Sequence, residues 1–245
     1  MTHAASLPAT TGNLFLDSLS LATRETLTPT LVRSSLRQGQ ILAQAGTLIE
    51  EIHFPIRSLI STVARLKDGG GIEVGLAGHE GMSALSIAYG SRMSPHVTVV
   101  QIEDSAYCMS AQLFIDRMRV DRDLRERAFA YAEYSFNAAT QFVACNSLHP
   151  IEERFARWIL MATDRVVSDE LGLTHEYSAQ MLGVRRASVT VAAGLLGKAG
   201  LIAFRRGHIL VLDRPALEAA ACECYAVVNA ELRRLMGYDI RGRGR

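Results

Sequence analysis

The sequence lacks any apolar run approaching the roughly 18 residues needed to cross a bilayer, so no membrane span is expected. Its opening, "MTHAASLPAT", lacks the basic-then-apolar order of a secretory leader. Together these absences point to a cytoplasmic protein. Cysteine is scarce, with four in 245 residues, and the first is Cys108. In a reducing compartment such cysteines are expected to be free thiols. Cys222-x-Cys224 has no second pair at metal spacing, and residues two apart on a helix point to different sides, so no metal is expected there. Cys145 reads as a small core residue, and Cys108 as an oxidant sensor only if exposed. The glycine-rich stretch Asp68–Gly71 is not followed by Gly-Lys-Ser/Thr, which excludes a phosphate loop and leaves a hairpin turn. No Ser/His/Asp or paired-carboxylate set can be argued from residue order. His79-Glu80 in its glycine loop reads as a polar turn rather than an acid–base pair or haem ligand. No enzyme activity and no cofactor are expected.

What is present is an ample apolar fraction, 49%, with 21% charged residues, the composition of a globular chain of one or two domains. The net charge of +1 conceals an asymmetry. From Leu148 onward there are 14 basic and 11 acidic residues, against 12 and 14 before it. Between Leu171 and Pro215 six basic residues face only Glu176 and Asp213. A mildly acidic front joined to a locally basic back suggests that the back contacts an anion.

From Leu14 to Ser110 recurrent glycines separate short apolar runs ("ILAQ", "EIHFPI", "SLISTVARL", "IEVGLA", "VTVVQI"), which predicts a sandwich or barrel. From Asp121 to Asn146 glycine and proline vanish and the period turns helical. One stripe runs Leu124, Ala128, Tyr131, Ser135, Ala138, Phe142, Cys145, and a second runs Phe129, Ala132, Phe136, Ala139, Val143, Asn146. One core needs a single stripe, so two predict two packing partners: the β module and a second subunit in a parallel helix pair. The first stripe is taken as the dimer interface; a single helix buried in one monomer is the alternative. Pro150 then ends the helix, and a new one from about Ile151 to Arg165 carries Phe155, Trp158, Ile159 and Ala162 on one face. "LIAFRRGHILVLD" reads as strand, turn and strand, with Arg205-Arg206-Gly207 at the turn. Asp213 is placed to cap a last helix through Met236, and "RGRGR" reads as a disordered basic tail.

"THEYSAQMLGVRRASVTVAAGLL" has the skeleton of a helix-turn-helix: small Ala179 at a close crossing, Gly183 at the turn, and Val189 early in the second helix. That helix buries Val189, Ala192, Ala193 and Leu196 at i, i+3, i+4, i+7 and offers Arg186, Ala187, Thr190, Val191 and Gly194 on the other face. Its outer face is slim enough for a major groove, and its N-terminal arginines suit guanine or phosphate. The basic turn Arg205-Arg206-Gly207-His208 falls where a β-wing would reach the DNA backbone. A solvated helix start remains the alternative for Arg185 and Arg186 alone. The expected DNA-contacting set is Thr174, His175, Arg185, Arg186, Ser188, Thr190, Val191, Lys198, Arg205 and Arg206.

With these pieces placed, the chain resembles the Crp/Fnr superfamily of bacterial transcription regulators over nearly its whole length. "LRQGQILAQAG", "IEVGLAGHEGM", "ACNSLHPIEERFARWIL" and "LTHEYSAQMLGVRRASVTVAAGLLGKAGLI" look like family landmarks in family order. The resemblance implies an α+β architecture: a cyclic-nucleotide-binding-type β jelly roll as sensor (12–120, after a flexible 1–11), a dimerisation helix (121–147), a C-terminal winged helix-turn-helix (148–236) and a basic tail (237–245). It implies a homodimer on a two-fold symmetric double-stranded DNA operator and contact with RNA polymerase. The nucleotide-binding members hold ribose with a Gly-Glu pair and phosphate with an Arg-Ser/Thr pair. Here Ser83 falls at the Glu position, Ser94-Pro95 fall near the Arg-Ser position, and Arg92 is shifted. The effector-pocket candidates are Gly81, Met82, Ser83, Arg92 and Ser94, with effector unknown and cyclic nucleotide not expected. In the reader, the familiar Arg-Glu then Arg becomes Arg186-Ala187 then Val191, and Arg185 replaces the usual capping Ser. An oxygen-sensing cluster of the family type is excluded by the lack of N-terminal cysteines. The alternative function is a small-ligand sensor whose winged helix binds protein instead of DNA.

Overall fold

The computed structural model describes residues 10–67 and 70–241. The expected flexible start (1–9), part of the hairpin turn (Asp68 and Gly69) and the last four residues of the basic tail lie outside the described residues.

The chain begins with two short helices, α1 (Leu14–Asp17) and α2 (Leu21–Leu27), and a 3₁₀ turn at Thr28–Thr30. The glycine-punctuated pattern predicts strands for this stretch. Asn13 and Ser20 are N-caps whose side chains accept from the backbone N–H groups of Leu16 and Thr23, and this local chemistry starts the helices. Seven strands follow: β1 (Val32–Leu36), β2 (Ile41–Ala43), β3 (Glu51–Pro55), β4 (Leu59–Arg65), β5 (Gly71–Ala77), β6 (Val97–Ile102) and β7 (Asp104–Ser110). They form two antiparallel sheets, ordered β1-β7-β3 and β2-β6-β4-β5. The five quoted apolar runs correspond to β2 to β6; β1 and β7 have weaker patterns and were not anticipated. β4 pairs with β5 from Ile60↔Ala77 to Arg65↔Gly71, so the glycine-rich turn does join a hairpin.

Helix α3 (Ala111–Val120) leads into α4 (Arg122–Leu148). Asp121 caps α4 by accepting from Leu124 N–H at 3.0 Å, and the chain leaves the helix at His149, before Pro150. Helix α5 (Ile151–Val166) carries Glu152 and Glu153 in its first turn, where carboxylates suit the positive helix end. The expected face of Phe155, Trp158, Ile159 and Ala162 is buried, but every residue from Arg154 to Val166 is buried as well. α5 is therefore a central strut, packed between the sheets and everything that follows.

The C-terminal part holds β8 (Glu170–Gly172), α6 (His175–Leu182), α7 (Arg186–Lys198), β9 (Ile202–Arg205), β10 (His208–Val211), α8 (Arg214–Ala220) and α9 (Cys224–Met236). Its sheet runs β8-β10-β9. The expected single helix from Asp213 to Met236 is two. Asp213 caps α8 by accepting from Ala216 N–H, and the chain bends at Ala221–Glu223 before α9 begins. α9 lies along α4, and Val228, Leu232, Met236 and Ile240 join the core that contains Tyr131 and Phe142. Residues 237–241 are packed rather than loose: the Tyr238 hydroxyl donates to the Glu80 carbonyl at 2.6 Å, and Arg241 reaches Glu218 at 3.0 Å.

Among the described residues no helix is long and apolar enough to cross a membrane.

Candidate nucleic-acid interface and effector cavity

Thr174 caps α6, its hydroxyl accepting from Tyr177 N–H at 3.3 Å. Gly183 ends α6 at φ +63, a left-handed conformation that glycine adopts without strain. Its lack of a side chain also matters, because a Cβ there would come within 2.7 Å of Ile72 on β5. Arg185 takes the N-cap of α7 with no side-chain cap bond, so the helix N-terminus keeps free N–H donors beside Arg186 at its first position. Val189, Ala192, Ala193 and Leu196 are buried as expected, leaving Arg186, Ala187, Thr190, Val191 and Gly194 exposed.

His175 connects the elements of this face. Its ring lies 4.0 Å from that of Phe204 on β9, and its Nδ1 is 3.1 Å from Thr190 Oγ1. Burial lowers its pKa, and the Arg186 charge lowers it further. A neutral ring spares the basic face a buried charge. Arg205 ends β9, and the turn itself is Arg206–Gly207, both residues at positive φ, before His208 pairs back with Arg205. This two-residue turn aims a basic tip outward. Thr174, Arg185, Arg186, Thr190, Val191, Lys198, Arg205 and Arg206 are exposed, while His175 and Ser188 are half-buried. The exposed residues thus include an open helix N-terminus, four arginines and a lysine, with His175 joining α7 to β9.

The other site is a cavity of about 330 Å³ between the four-stranded sheet and α4. Met82, Ser83 and Ser94 line it, with Thr98, Tyr89, Tyr131, Tyr134, Phe136 and Phe142. Gly81 and Arg92, also expected there, do not. A Cβ on Gly81 would fall 1.8 Å from the Tyr131 ring, so Gly81 exists to let Tyr131 cross the loop. The Arg92 guanidinium turns outward, donating to Gln112 Oε1 at 3.0 Å and to the Ile49 carbonyl at 3.5 Å.

The cation at the cavity wall is Arg165 of α5, which lies far in sequence from the glycine-rich loop and carries no local signal for this role. It is already committed: Nε lies 2.9 Å from Glu80 Oε1, and Nη2 donates to Tyr134 Oη at 2.7 Å. Both Glu80 and Arg165 are buried, so separating them would leave an unpaired buried charge. Glu80 also accepts from Gly78 N–H, and His79 presents its two ring nitrogens to the carbonyls of Arg165 and Ile240 at 2.9 Å each. The His79-Glu80 turn is thus a structural knot binding the glycine loop to α5 and the C-terminus. His79 has no nitrogen left for a haem iron.

The fold matches solved structures. FixK2 from Bradyrhizobium japonicum superposes with TM-score 0.67 at 15% identity, over 78% of this chain and 98% of that one. A Crp-family transcriptional regulator from Thermus thermophilus gives 0.63 at 18%, over 77% and 96%. The c-di-GMP-responsive global regulator CLP of Xanthomonas campestris gives 0.61 at 12%, over 79% and 100%. At these identities the likeness is one of fold. No curated protein sequence matches the chain. Residues 153–220 match the Crp-like helix-turn-helix domain family. The chain carries a Crp-like helix-turn-helix domain on a Crp/Fnr-type fold.

Within this Crp/Fnr-type fold the long helix corrects one expectation. Leu124, Ala128, Tyr131, Ala138, Phe142 and Cys145 are buried, and Ser135 is half-buried with its hydroxyl bonded to the Tyr131 carbonyl at 2.8 Å. These side chains are spent on the subunit's own β sheets and α9, and are not available to a partner. The second stripe faces outward through its large residues: Phe129, Phe136 and Val143 are 50%, 63% and 68% exposed, Ala139 and Asn146 are half-buried, and Ala132 is buried in the core. The two stripes carry similar apolar content, so the sequence alone could not tell which one α9 would cover.

Proposed function

We propose that this protein is a homodimeric, sequence-specific DNA-binding transcription regulator and not an enzyme. The reading rests on the exposed open N-terminus of α7 beside Arg185 and Arg186, joined through His175 to the strand that leads into the basic Arg206–Gly207 turn. α7 enters the major groove N-terminus first, with Arg186 toward a base edge and Thr190 and Val191 following. Arg205 and Arg206 hold phosphate. Thr174, His175, Ser188 and Lys198 complete the contact set. RNA polymerase is the further partner of such a regulator.

The dimer seam is the second stripe of α4. Phe129, Phe136 and Val143 recur every seven residues, and half-buried Ala139 and Asn146 follow the last two by three, which is the a/d spacing of a parallel helix pair; Ala132, three after Phe129, belongs to the chain's own core. Large residues at one position and smaller ones at the other allow close approach of the two helices. Residues 12–120 act as the sensor, 121–147 as the dimerisation helix and the winged helix as the reader.

The cavity takes an uncharged, largely apolar ligand or none. A cyclic nucleotide needs a cation for its phosphate, and among the described residues the lysines and arginines offer the cavity only Arg165, held by Glu80. DNA binding then proceeds without cyclic AMP. Fluorescence anisotropy on duplex DNA across a salt series tests the function: log affinity falls linearly with log salt if the basic face binds phosphate. Salt-independent or absent binding would favour a winged helix that contacts protein.

A further inference from the structure

The bend before α9 brings together four groups that lie far apart in the chain. Cys145 lies on the last turn of α4 and His149, four residues on, is its C-cap, whose backbone N–H donates to the Cys145 carbonyl at 3.1 Å and keeps the two residues close. Cys222 sits in the bend, and Cys224 opens α9. The three cysteines form a buried cluster of their own, with His149 half-buried at its edge. One ligand atom from each of the four lies within 4.8 Å of every other. Cys145 Sγ is 3.5 Å from Cys222 Sγ, and Cys224 Sγ is 3.6 Å from His149 Nδ1.

These distances are too long for a disulfide, whose sulfurs lie about 2.05 Å apart. They match the edge of a tetrahedron: zinc–sulfur bonds of about 2.3 Å put two thiolates about 3.8 Å apart. Three further features belong to a metal site rather than to a chance thiol cluster. Glu223 Oε2 lies 3.2 Å from His149 Nε2, the carboxylate–histidine arrangement that fixes a ligand imidazole and leaves Nδ1 for the ion. Gln141 Nε2 donates to Cys224 Sγ at 3.1 Å, a bond suited to a thiolate. The buried Arg157 stacks over Phe142 at 4.6 Å with its Nε lacking a hydrogen-bond partner, and its charge acts on both Cys145 and Cys222. Three thiolates, a neutral imidazole and a divalent ion sum to one negative charge, which a nearby arginine offsets.

We propose that Cys145, His149, Cys222 and Cys224 bind one Zn²⁺ ion per chain in a closed tetrahedral site. Four protein ligands leave no open position, so the ion is structural. It staples the end of α4 to the start of α9 at the point where the chain turns into α5 and the reader. The grouping is too tight for an iron–sulfur cluster, whose ligand sulfurs surround several iron and sulfide atoms. The site stands whether or not the reader binds DNA.

The test is metal analysis of the full chain, purified anaerobically with reductant and without chelator. The expected result is about one zinc per chain, lost at least tenfold in the Cys222→Ser, Cys224→Ser double variant and retained in Cys108→Ser. Apo protein titrated with Co²⁺ should develop the intense visible bands of tetrahedral thiolate coordination, saturating at about one equivalent. Glu223→Gln leaves all four ligands in place and should weaken Zn²⁺ binding about 10–100-fold against a competing chelator, so the proposal stays testable if the double variant misfolds. Three free thiols with no bound metal and no Co²⁺ bands, a Cys145–Cys222 disulfide in the anaerobic protein, or iron with acid-labile sulfide would each overturn it.

Discussion

Replacing Glu73 by Gln should make the protein more stable at alkaline pH and leave it unchanged in acid. Glu73 lies on β5, fully enclosed, accepting from Ser61 Oγ at 2.6 Å and from Trp158 Nε1 on α5 at 2.9 Å. Burial outweighs these bonds and pushes its pKa up from 4.5 to about 7. The folded protein therefore keeps a proton that the unfolded chain releases, and stability falls as pH rises from about 4.5 to about 7. At 1.36 kcal/mol per unit the loss is about 3 kcal/mol. His53 works the other way. Burial lowers its pKa from 6.5 to about 4, so its contribution is lost as pH falls through that window. The two slopes nearly cancel between about pH 4.5 and 6.5, which hides both in the parent protein. Gln is uncharged throughout, and its amide can accept from Trp158 while donating to the Ser61 oxygen. Unfolding free energies from urea titrations of parent and Glu73→Gln should coincide near pH 4 and separate by about 3 kcal/mol at pH 8. The variant should show the uncompensated rise with pH contributed by His53. A stability difference that is the same at pH 4 and pH 8 would refute the reasoning, because it would mean that Glu73 titrates alike in the folded and unfolded states.

Arg186→Ala should cost about 1–3 kcal/mol on the cognate operator and relax specificity at one position, whereas Arg206→Ala should weaken all DNA about equally and flatten the salt slope; binding isotherms on matched and mismatched duplexes separate the two. Phe136→Glu should give a folded monomer in sedimentation, since Phe136 is 63% exposed in the subunit. Tyr131→Glu, at a position with no exposure, should lose several kcal/mol of stability instead, seen as a lower unfolding midpoint. Calorimetry with cyclic AMP should show no heat at micromolar ligand; a saturating signal there would mean that Arg165 leaves Glu80 to receive the phosphate.

The legible parts of this fold were those written in local pattern. Gly183 at the turn, the Val189 to Leu196 stripe and the Arg206–Gly207 wing are each a few residues long, and the structure has them where the spacing puts them. The illegible parts depend on what packs against what. α5 shows a single apolar face in sequence yet is buried on every side, because its arginines find partners: Arg165 with Glu80 and Tyr134, and Arg154 with the Leu182 carbonyl at 2.6 Å. Glu80 was read as a loop residue because its partner lies on another element, 85 positions onward. The thiol cluster escaped for the same reason: Cys145 and Cys222 are 77 residues apart, and only the return of α9 along α4 joins them. The burial of the first α4 stripe within the chain was not legible because helical periodicity gives the faces of α4 and not their occupants.

The central claim is that this chain reads a two-fold symmetric DNA sequence with α7. Selection of bound duplexes from a random pool by the purified full-length protein, repeated with Arg186→Ala, tests it most directly. The expected result is inverted half-sites about 10 base pairs apart centre to centre, or a multiple of that spacing, with one position in each half losing its preference in the variant. Enrichment of no common sequence, or of a single site without symmetry, would contradict it.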